Sequence, residues 1–411
     1  MSSGGEASRP WSVRRHGGCR DSCRAARGVG GPRPRYPGEV RSACAVGTLG
    51  PDQTGAGVPS FDHRAVLARR PPVGGDRRVR VPVAGSDGRT IGTGGPYPVT
   101  TSDRNQRRLA MTTTSRPRLQ EIGLPAGKQT RLHRIVHEHG LRNGTALFLP
   151  YDQGLEHGPR DFTENPVASD PRYVLRLAVE GGFNGIVLQV GLAQKFAWEF
   201  AGEVPLVLKL NGKTDVPPAD APVSPLQASV EDAVRLGADA VGYTLYVGTQ
   251  AAEADYAQLR RVRADSDRYG MPLIVWAYPR GWAVDEKGGR DSFYEVDYAA
   301  RVASELGADM VKVNFPDPDK HTGVPAAYRH RLTAQEAIDR VVRSANRTML
   351  LVSGGSRLGD DAMLAKARMS MEAGATGLIF GRNVWQREHD ESLRFVEHLR
   401  KILAEYPDER S

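Results

Sequence analysis

The chain has 411 residues and a formal net charge of +8, unevenly placed: residues 1–110 hold nineteen arginines, no lysine and eight acidic residues, leaving 37 basic against 40 acidic side chains in the remainder. A nucleic-acid reading of that charge needs a basic folded domain, which a slightly acidic remainder does not supply. Cys19, Cys23 and Cys44 all lie in the leading stretch, so no disulfide framework or cysteine metal site holds the rest together, and no apolar run approaches the ~20 residues of a membrane-spanning helix. A reducing, cytoplasmic setting without nucleic-acid or membrane partners is expected.

Residues 1–110 are rich in Gly, Pro, Arg and Ser, with little hydrophobic periodicity. Such a segment buries too little apolar surface to offset its ordering entropy, and disorder is expected there. No apolar core follows the first charges, which excludes a secretory signal. An organelle-targeting peptide and a basic tail remain open. Arginine without lysine has the look of translated GC-rich DNA, which favours an over-extended gene start with the true one at Met111. Cys19 and Cys23 lack a matching second pair for zinc. The chain thus divides into an extension, 1–110, and a folded domain, 111–411.

From Gly127 the pattern changes. A helix ended by glycine is predicted over 130–140. Short apolar runs follow at 146–151, 185–190, 205–211, 240–246, 272–278, 310–315, 348–353 and 377–380. Helices are predicted at about 171–180, 191–201, 229–236, 252–269, 297–306, 333–345, 358–373 and 392–406. The runs are nearly continuous in apolarity, as strands buried on both faces must be. Several helices end in Gly-Ala-Asp or Gly-Ala-Thr, at 237–239, 307–309 and 374–376, where glycine suits a left-handed cap. Eight strand–helix units over about 280 residues predict an α/β fold, a (β/α)8 TIM barrel with an additional N-terminal helix. An open doubly wound sheet is disfavoured, since no Gly-x-Gly-x-x-Gly follows the first strand.

The active site of such a barrel lies at the C-terminal ends of its strands. The first run leads into Asp152, a candidate catalytic carboxylate or a turn-capping residue. Glu156 and His157 lack partner histidines at metal-ligand spacing, and His133 and His137 lack the glutamate of HExxH, so no metal is expected. In the third run Lys209 has lumen parity if Leu208 and Leu210 face out. In the fifth, Trp276 and Tyr278 share parity. A tyrosine at a strand end exchanges a proton with a substrate hydroxyl, unless the two are a core aromatic pair.

In the sixth run Val311, Val313 and Phe315 face the helices, leaving Met310, Lys312 and Asn314 toward the lumen. A lumen lysine is stripped of water, which disfavours its charged form. The neutral amine attacks a ketone to give a carbinolamine and then an iminium, an electron sink for C–C cleavage that needs no metal or cofactor. The alternative is a lysine paired with a lumen carboxylate or snorkelling to the rim. Pattern alone does not choose between Lys312 and Lys209. Ser353-Gly354-Gly355 ends the seventh run, and Gly381-Arg382-Asn383 follows the eighth, the two places where these barrels commonly bind phosphate.

The segments 152–159 (Asp-Gln-Gly-Leu-Glu-His-Gly-Pro), 209–214 (Lys-Leu-Asn-Gly-Lys-Thr), 276–281 (Trp-Ala-Tyr-Pro-Arg-Gly), 307–313 (Gly-Ala-Asp-Met-Val-Lys-Val), 353–355 and 381–383, in this order, resemble the archaeal-type class I fructose-bisphosphate aldolases. The resemblance covers roughly residues 127–390. It implies reversible cleavage of fructose 1,6-bisphosphate, with Lys312 rather than Lys209 as the Schiff-base lysine. It further implies Tyr278 as the proton-transfer residue and Asp152 as an aid to carbinolamine chemistry. Trp276 would line the substrate site, and Ser353, Gly354, Gly355, Gly381 and Arg382 would hold a phosphate. It also implies a homo-oligomer. Two departures bear on the substrate: Gln153 stands where the family often has His, and Asn314-Phe315-Pro316-Asp317-Pro318 replaces a Thr-Gly-Asp type of segment. Lys213 is a candidate for the second phosphate, or a solvated loop lysine. The alternatives are another Schiff-base aldolase or transaldolase-like enzyme of phosphorylated keto compounds, and a barrel that only binds a sugar phosphate.

Overall fold

Each of the eight apolar runs forms one strand in the computed structural model: β1 (Ala146–Pro150), β2 (Gly185–Gln189), β3 (Leu206–Lys209), β4 (Ala240–Val247), β5 (Leu273–Pro279), β6 (Met310–Asn314), β7 (Met349–Ser353) and β8 (Gly377–Ile379). All neighbours are parallel, and β1 pairs with β8, closing the barrel. The structure describes residues 116–217, 222–320, 322–355 and 359–408. The expectations for residues 1–110, their cysteines and the start at Met111 lie outside them. Among the described residues no helix is long and apolar enough to cross a membrane.

The alternation read from the sixth run holds. Val311, Val313 and Phe315 pack in the layer between sheet and helices, while Met310 joins the inner cluster with Phe148, Ile274 and Met349. The third run is shorter than expected. β3 stops at Lys209, and Asn211 instead makes an isolated bridge to Leu226. The helix expected at 191–201 is split into Val190–Phe196 and a 3-10 turn, Ala197–Phe200. The one expected from 297 begins at Phe293, where the Ser292 side chain accepts from the Glu295 N–H and caps it.

The added N-terminal helix is present but displaced. It runs over Ala126–His133 and continues as a π-helical turn, Arg134–Glu138. Leu132, Ile135 and Val136 are fully buried against the inner cluster, so this segment closes the barrel at the N-terminal ends of the strands. The Gly-Ala-Asp steps serve it. Gly237 and Gly307 take φ of 69° and 89°, as left-handed caps require. The following aspartates receive its cations: Arg134 pairs with Asp239, and Lys128 Nζ lies 2.8 Å from Asp309 and 2.7 Å from Asp267. Asn184 completes the seal, donating through Nδ2 to the Ile135 carbonyl at 2.7 Å and accepting from the Leu147 N–H at 2.8 Å.

Candidate active site

At the opposite end the strands open into a cavity of about 600 Å³. Asp152, Trp276, Tyr278, Lys312, Ser353, Gly354, Gly355, Gly381 and Arg382 all line it, as do Lys209 and Lys213. The residues singled out from six separate strand ends therefore meet in one space.

Both candidate lysines lie over the Trp276 ring, Lys209 Nζ at 5.1 Å and Lys312 Nζ at 5.3 Å from its centroid. Their partners differ. Lys209 Nζ donates to Asp152 Oδ2 at 3.1 Å, with both side chains buried. Lys312 has neither a hydrogen-bond nor an ion-pair partner among the described residues, and lies 5.5 Å from the Tyr278 ring centroid. Burial lowers the Lys312 ammonium to about 8, Arg382 pushes the same way, and Asp152 and Glu156 oppose it. Burial, then the Asp152 charge, raises the Tyr278 hydroxyl above the ordinary tyrosine range and holds it as a phenol.

Gly242 makes this layer possible and was not singled out in the sequence. It pairs in register with Lys209 on β3 and Ile274 on β5. A Cβ there would lie 2.7 Å from the Trp276 ring and 3.0 Å from Lys209 Cδ. Its only signal was a glycine inside an apolar run, which marks a close approach.

The two loops expected to bind phosphate face the cavity together. Among the described residues the N–H groups of Gly354, Gly355 and Gly381 make no backbone hydrogen bond. Gly381 is required by crowding, since a Cβ would lie 2.6 Å from Gln153 Nε2 and 2.7 Å from the Pro150 carbonyl. Arg382 stands 3.9 Å from Asp161, which also binds His157 Nδ1 at 2.6 Å. At the rim, Lys213 is shared between Asp215 at 3.5 Å and Glu156 at 3.9 Å. Arg280, quoted in a motif but given no role, lies over the Tyr278 ring at 5.0 Å and adds a cation to the cavity wall. The His133 and His137 rings lie 5.0 Å apart, tilted by 40°, in the segment at the closed end.

A (β/α)8 barrel with a buried amine among these groups has the form of a covalent-catalysis site. Residues 146–387 match the DeoC/LacD family aldolase, and the chain belongs to that family. It is 41% identical over 263 residues, 64% of this chain and 90% of that protein, to the class 1 fructose-bisphosphate aldolase of Thermoproteus tenax. It is 34% identical over 264 residues, 64% and 92% of the two chains, to that of Halobacterium salinarum. Among solved structures it resembles an archaeal fructose-1,6-bisphosphate aldolase whose catalytic Lys is covalently bound to the carbinolamine intermediate of the substrate. The identity is 39% and the TM-score 0.57, over 66% of this chain and 98% of that one.

Proposed function

We propose that this chain is a class I fructose-bisphosphate aldolase, cleaving fructose 1,6-bisphosphate reversibly to dihydroxyacetone phosphate and glyceraldehyde 3-phosphate through a Schiff base on Lys312. The observation that carries this reading is the unequal state of the two lysines over Trp276. Lys209 is engaged by Asp152, whereas Lys312 is buried, without a hydrogen-bond or ion-pair partner among the described residues, and lowered to about 8. Only an amine with a free lone pair attacks a ketone.

Neutral Lys312 adds to the C2 carbonyl and forms a carbinolamine. Loss of its hydroxyl as water, with the proton handled by the Asp152–Lys209 pair, gives the iminium. The C4 hydroxyl loses its proton to Tyr278 as the C3–C4 bond breaks, and that electron pair flows to the iminium nitrogen. Glyceraldehyde 3-phosphate leaves. The enamine takes a proton at C3, water hydrolyses the iminium, and dihydroxyacetone phosphate departs. Tyr278 must be ionised to accept in this direction, and burial with the Asp152 charge holds it protonated. The iminium resolves this, because a fixed positive charge at Lys312 beside the ring favours the phenolate when a base is needed. In condensation the protonated tyrosine donates to the aldehyde oxygen.

Gly354, Gly355, Gly381 and Arg382 hold one phosphate with Ser353 beside them, and Lys213 with Arg280 meets the other. The iminium supplies the electron sink, so the scheme calls for no metal. The reading carries with it a cytoplasmic homo-oligomer in glycolysis and gluconeogenesis. Freedom from cysteine in residues 111–411 supports the compartment, and the family resemblance supports the assembly.

Reductive trapping tests the proposal. The protein is incubated with dihydroxyacetone phosphate and EDTA, reduced with borohydride, and digested for mass spectrometry. An adduct on Lys312 is expected. An adduct on Lys209 would keep the class and overturn the site, and no adduct in folded protein would overturn the mechanism.

A further inference from the structure

Ser353, Asn314 and Asp291 form a hydrogen-bonded row along the cavity wall beside Lys312. Asn314, the last residue of β6, is two on from Lys312 and in register with Ser353 on β7. Its Nδ2 donates to Asp291 Oδ1 at 2.7 Å, and its Oδ1 accepts from Ser353 Oγ at 2.8 Å. Asp291 belongs to the loop after β5, which is sewn to the loop after β6. The Asp317 N–H donates to the Asp291 carbonyl at 2.7 Å, and the Phe293 N–H to the Asp317 carbonyl at 3.1 Å. Lys320 Nζ stands 4.0 Å from Asp291 Oδ2. All three members of the row line the cavity. Asn314 opens the segment in which the sequence departs from the family it resembles.

The row has a direction. An ionised carboxylate only accepts, so the part of Asn314 that meets Asp291 is its NH2. Its carbonyl then meets Ser353, and a carbonyl only accepts, so the Ser353 hydroxyl hydrogen is committed to Asn314. Ser353 therefore turns oxygen lone pairs to the cavity. A phosphate dianion, itself an acceptor, gains nothing from that oxygen, whereas a substrate hydroxyl does.

We infer that Asp291 and Asn314 are positioning residues that hold the Ser353 hydroxyl as an acceptor for a hydroxyl group of the substrate, leaving the phosphate to the Gly354 and Gly355 N–H groups and to Arg382. This rests on the aldolase reading and specifies what the wall beside Lys312 selects: a hydroxylated keto phosphate rather than any phosphate ester. The geometry also separates the two roles that a Ser-Gly-Gly sequence would otherwise merge.

The test compares Ser353→Ala, Ser353→Thr, Asp291→Ala and the Asp291→Ala/Ser353→Ala double variant with the parent enzyme. Readouts are kcat and KM for fructose 1,6-bisphosphate cleavage and the inhibition constant of inorganic phosphate, taken on variants that still form the Lys312 adduct. Ser353→Ala is expected to lower kcat/KM about tenfold, the effect of one lost hydrogen bond to the substrate, while phosphate inhibition changes less than about twofold. Ser353→Thr, which keeps a hydroxyl, restores most of the loss. Asp291→Ala reproduces part of the defect, and the double variant is no worse than Ser353→Ala, as members of one row require. A tenfold or greater loss of phosphate affinity in Ser353→Ala would overturn the inference, since the hydroxyl would then be donating to the anion. Additive defects in the double variant would overturn it as well. Absence of the Lys312 adduct in the parent enzyme is a separate outcome and strikes the aldolase reading instead.

Discussion

Lys209 Nζ and Asp152 Oδ2 lie 3.1 Å apart in a buried pair that joins β3 to the loop after β1. The contact commits one cavity lysine to a carboxylate, and the proposal assigns the nucleophile to the other, Lys312. Lys312→Ala is expected to abolish turnover and borohydride trapping. Lys209→Met should still place the adduct on Lys312, more slowly because half of the Asp152–Lys209 pair is gone, and should leave a buried carboxylate without its partner, a change that costs about 3–5 kcal/mol when a buried pair is broken. Adduct mapping and the denaturation midpoint of the two variants separate the roles. Equal loss of the adduct in both would contradict them.

The lowered Lys312 predicts a pH profile. With a value of about 8, about a tenth of the amine is neutral at pH 7 and about half at pH 8. The initial trapping rate should rise about fivefold between those points and less than twofold from pH 8 to 9. Because Arg382 helps to lower Lys312, Arg382→Ala should move the midpoint upward. Stability follows the same shift. Between about 8 and the ordinary lysine value of 10.5, the unfolded chain holds a proton that the folded chain has released, so stability rises with pH across that window. Lys312→Met should remove that rise, read from denaturation at pH 7, 8.5 and 10.

Tyr278→Phe keeps the ring over which Arg280 sits and removes only the hydroxyl. Cleavage of fructose 1,6-bisphosphate should fall by about 10²–10⁴, the range of a lost general acid–base. Trapping with dihydroxyacetone phosphate, which requires no proton transfer at C4, should persist. Loss of both activities together would assign Tyr278 a structural role.

Gly242→Ala inserts a methyl group 2.7 Å from the Trp276 ring. Overpacking of this kind costs about 1–3 kcal/mol, and Trp276 must move to relieve it. A lowered melting temperature, a changed tryptophan emission and reduced turnover are expected together. Unchanged emission with normal activity would mean that the layer yields elsewhere.

The barrel was legible because its strands are buried on both sides and its helices on one. Parity along 310–315 placed Lys312 toward the lumen, where the structure also places it. Parity could not rank Lys312 against Lys209, because the difference lies in Asp152, a residue 57 positions from Lys209 in the chain. The helical turns at Gly154–His157 and Gly158–Phe162 went unread for a different reason. They are too short for a hydrophobic period and rich in glycine and proline. The aspartates of the Gly-Ala-Asp steps were read only through their glycines, since their partners Lys128 and Arg134 lie far off in the chain, Arg134 being 105 positions from Asp239. Asn314 was read as a departure from a family pattern. Its role as the link between Asp291 and Ser353 depends on a loop contact that no periodicity encodes.

Closure of the barrel through β1 and β8 joins Ala146 to Gly377, residues more than two hundred positions apart. During synthesis the first strand emerges early and has no partner on one side until nearly the last helix is made. Both its edge and that of the most recent strand stay open for pairing with other chains throughout that interval. The cavity lining is divided in the same way, with Asp152 at the first strand and Gly381 and Arg382 after the last. A polypeptide interrupted before residue 377 therefore lacks both a closed wall and part of the cavity lining, and leaves strand edges open rather than forming a smaller version of the barrel.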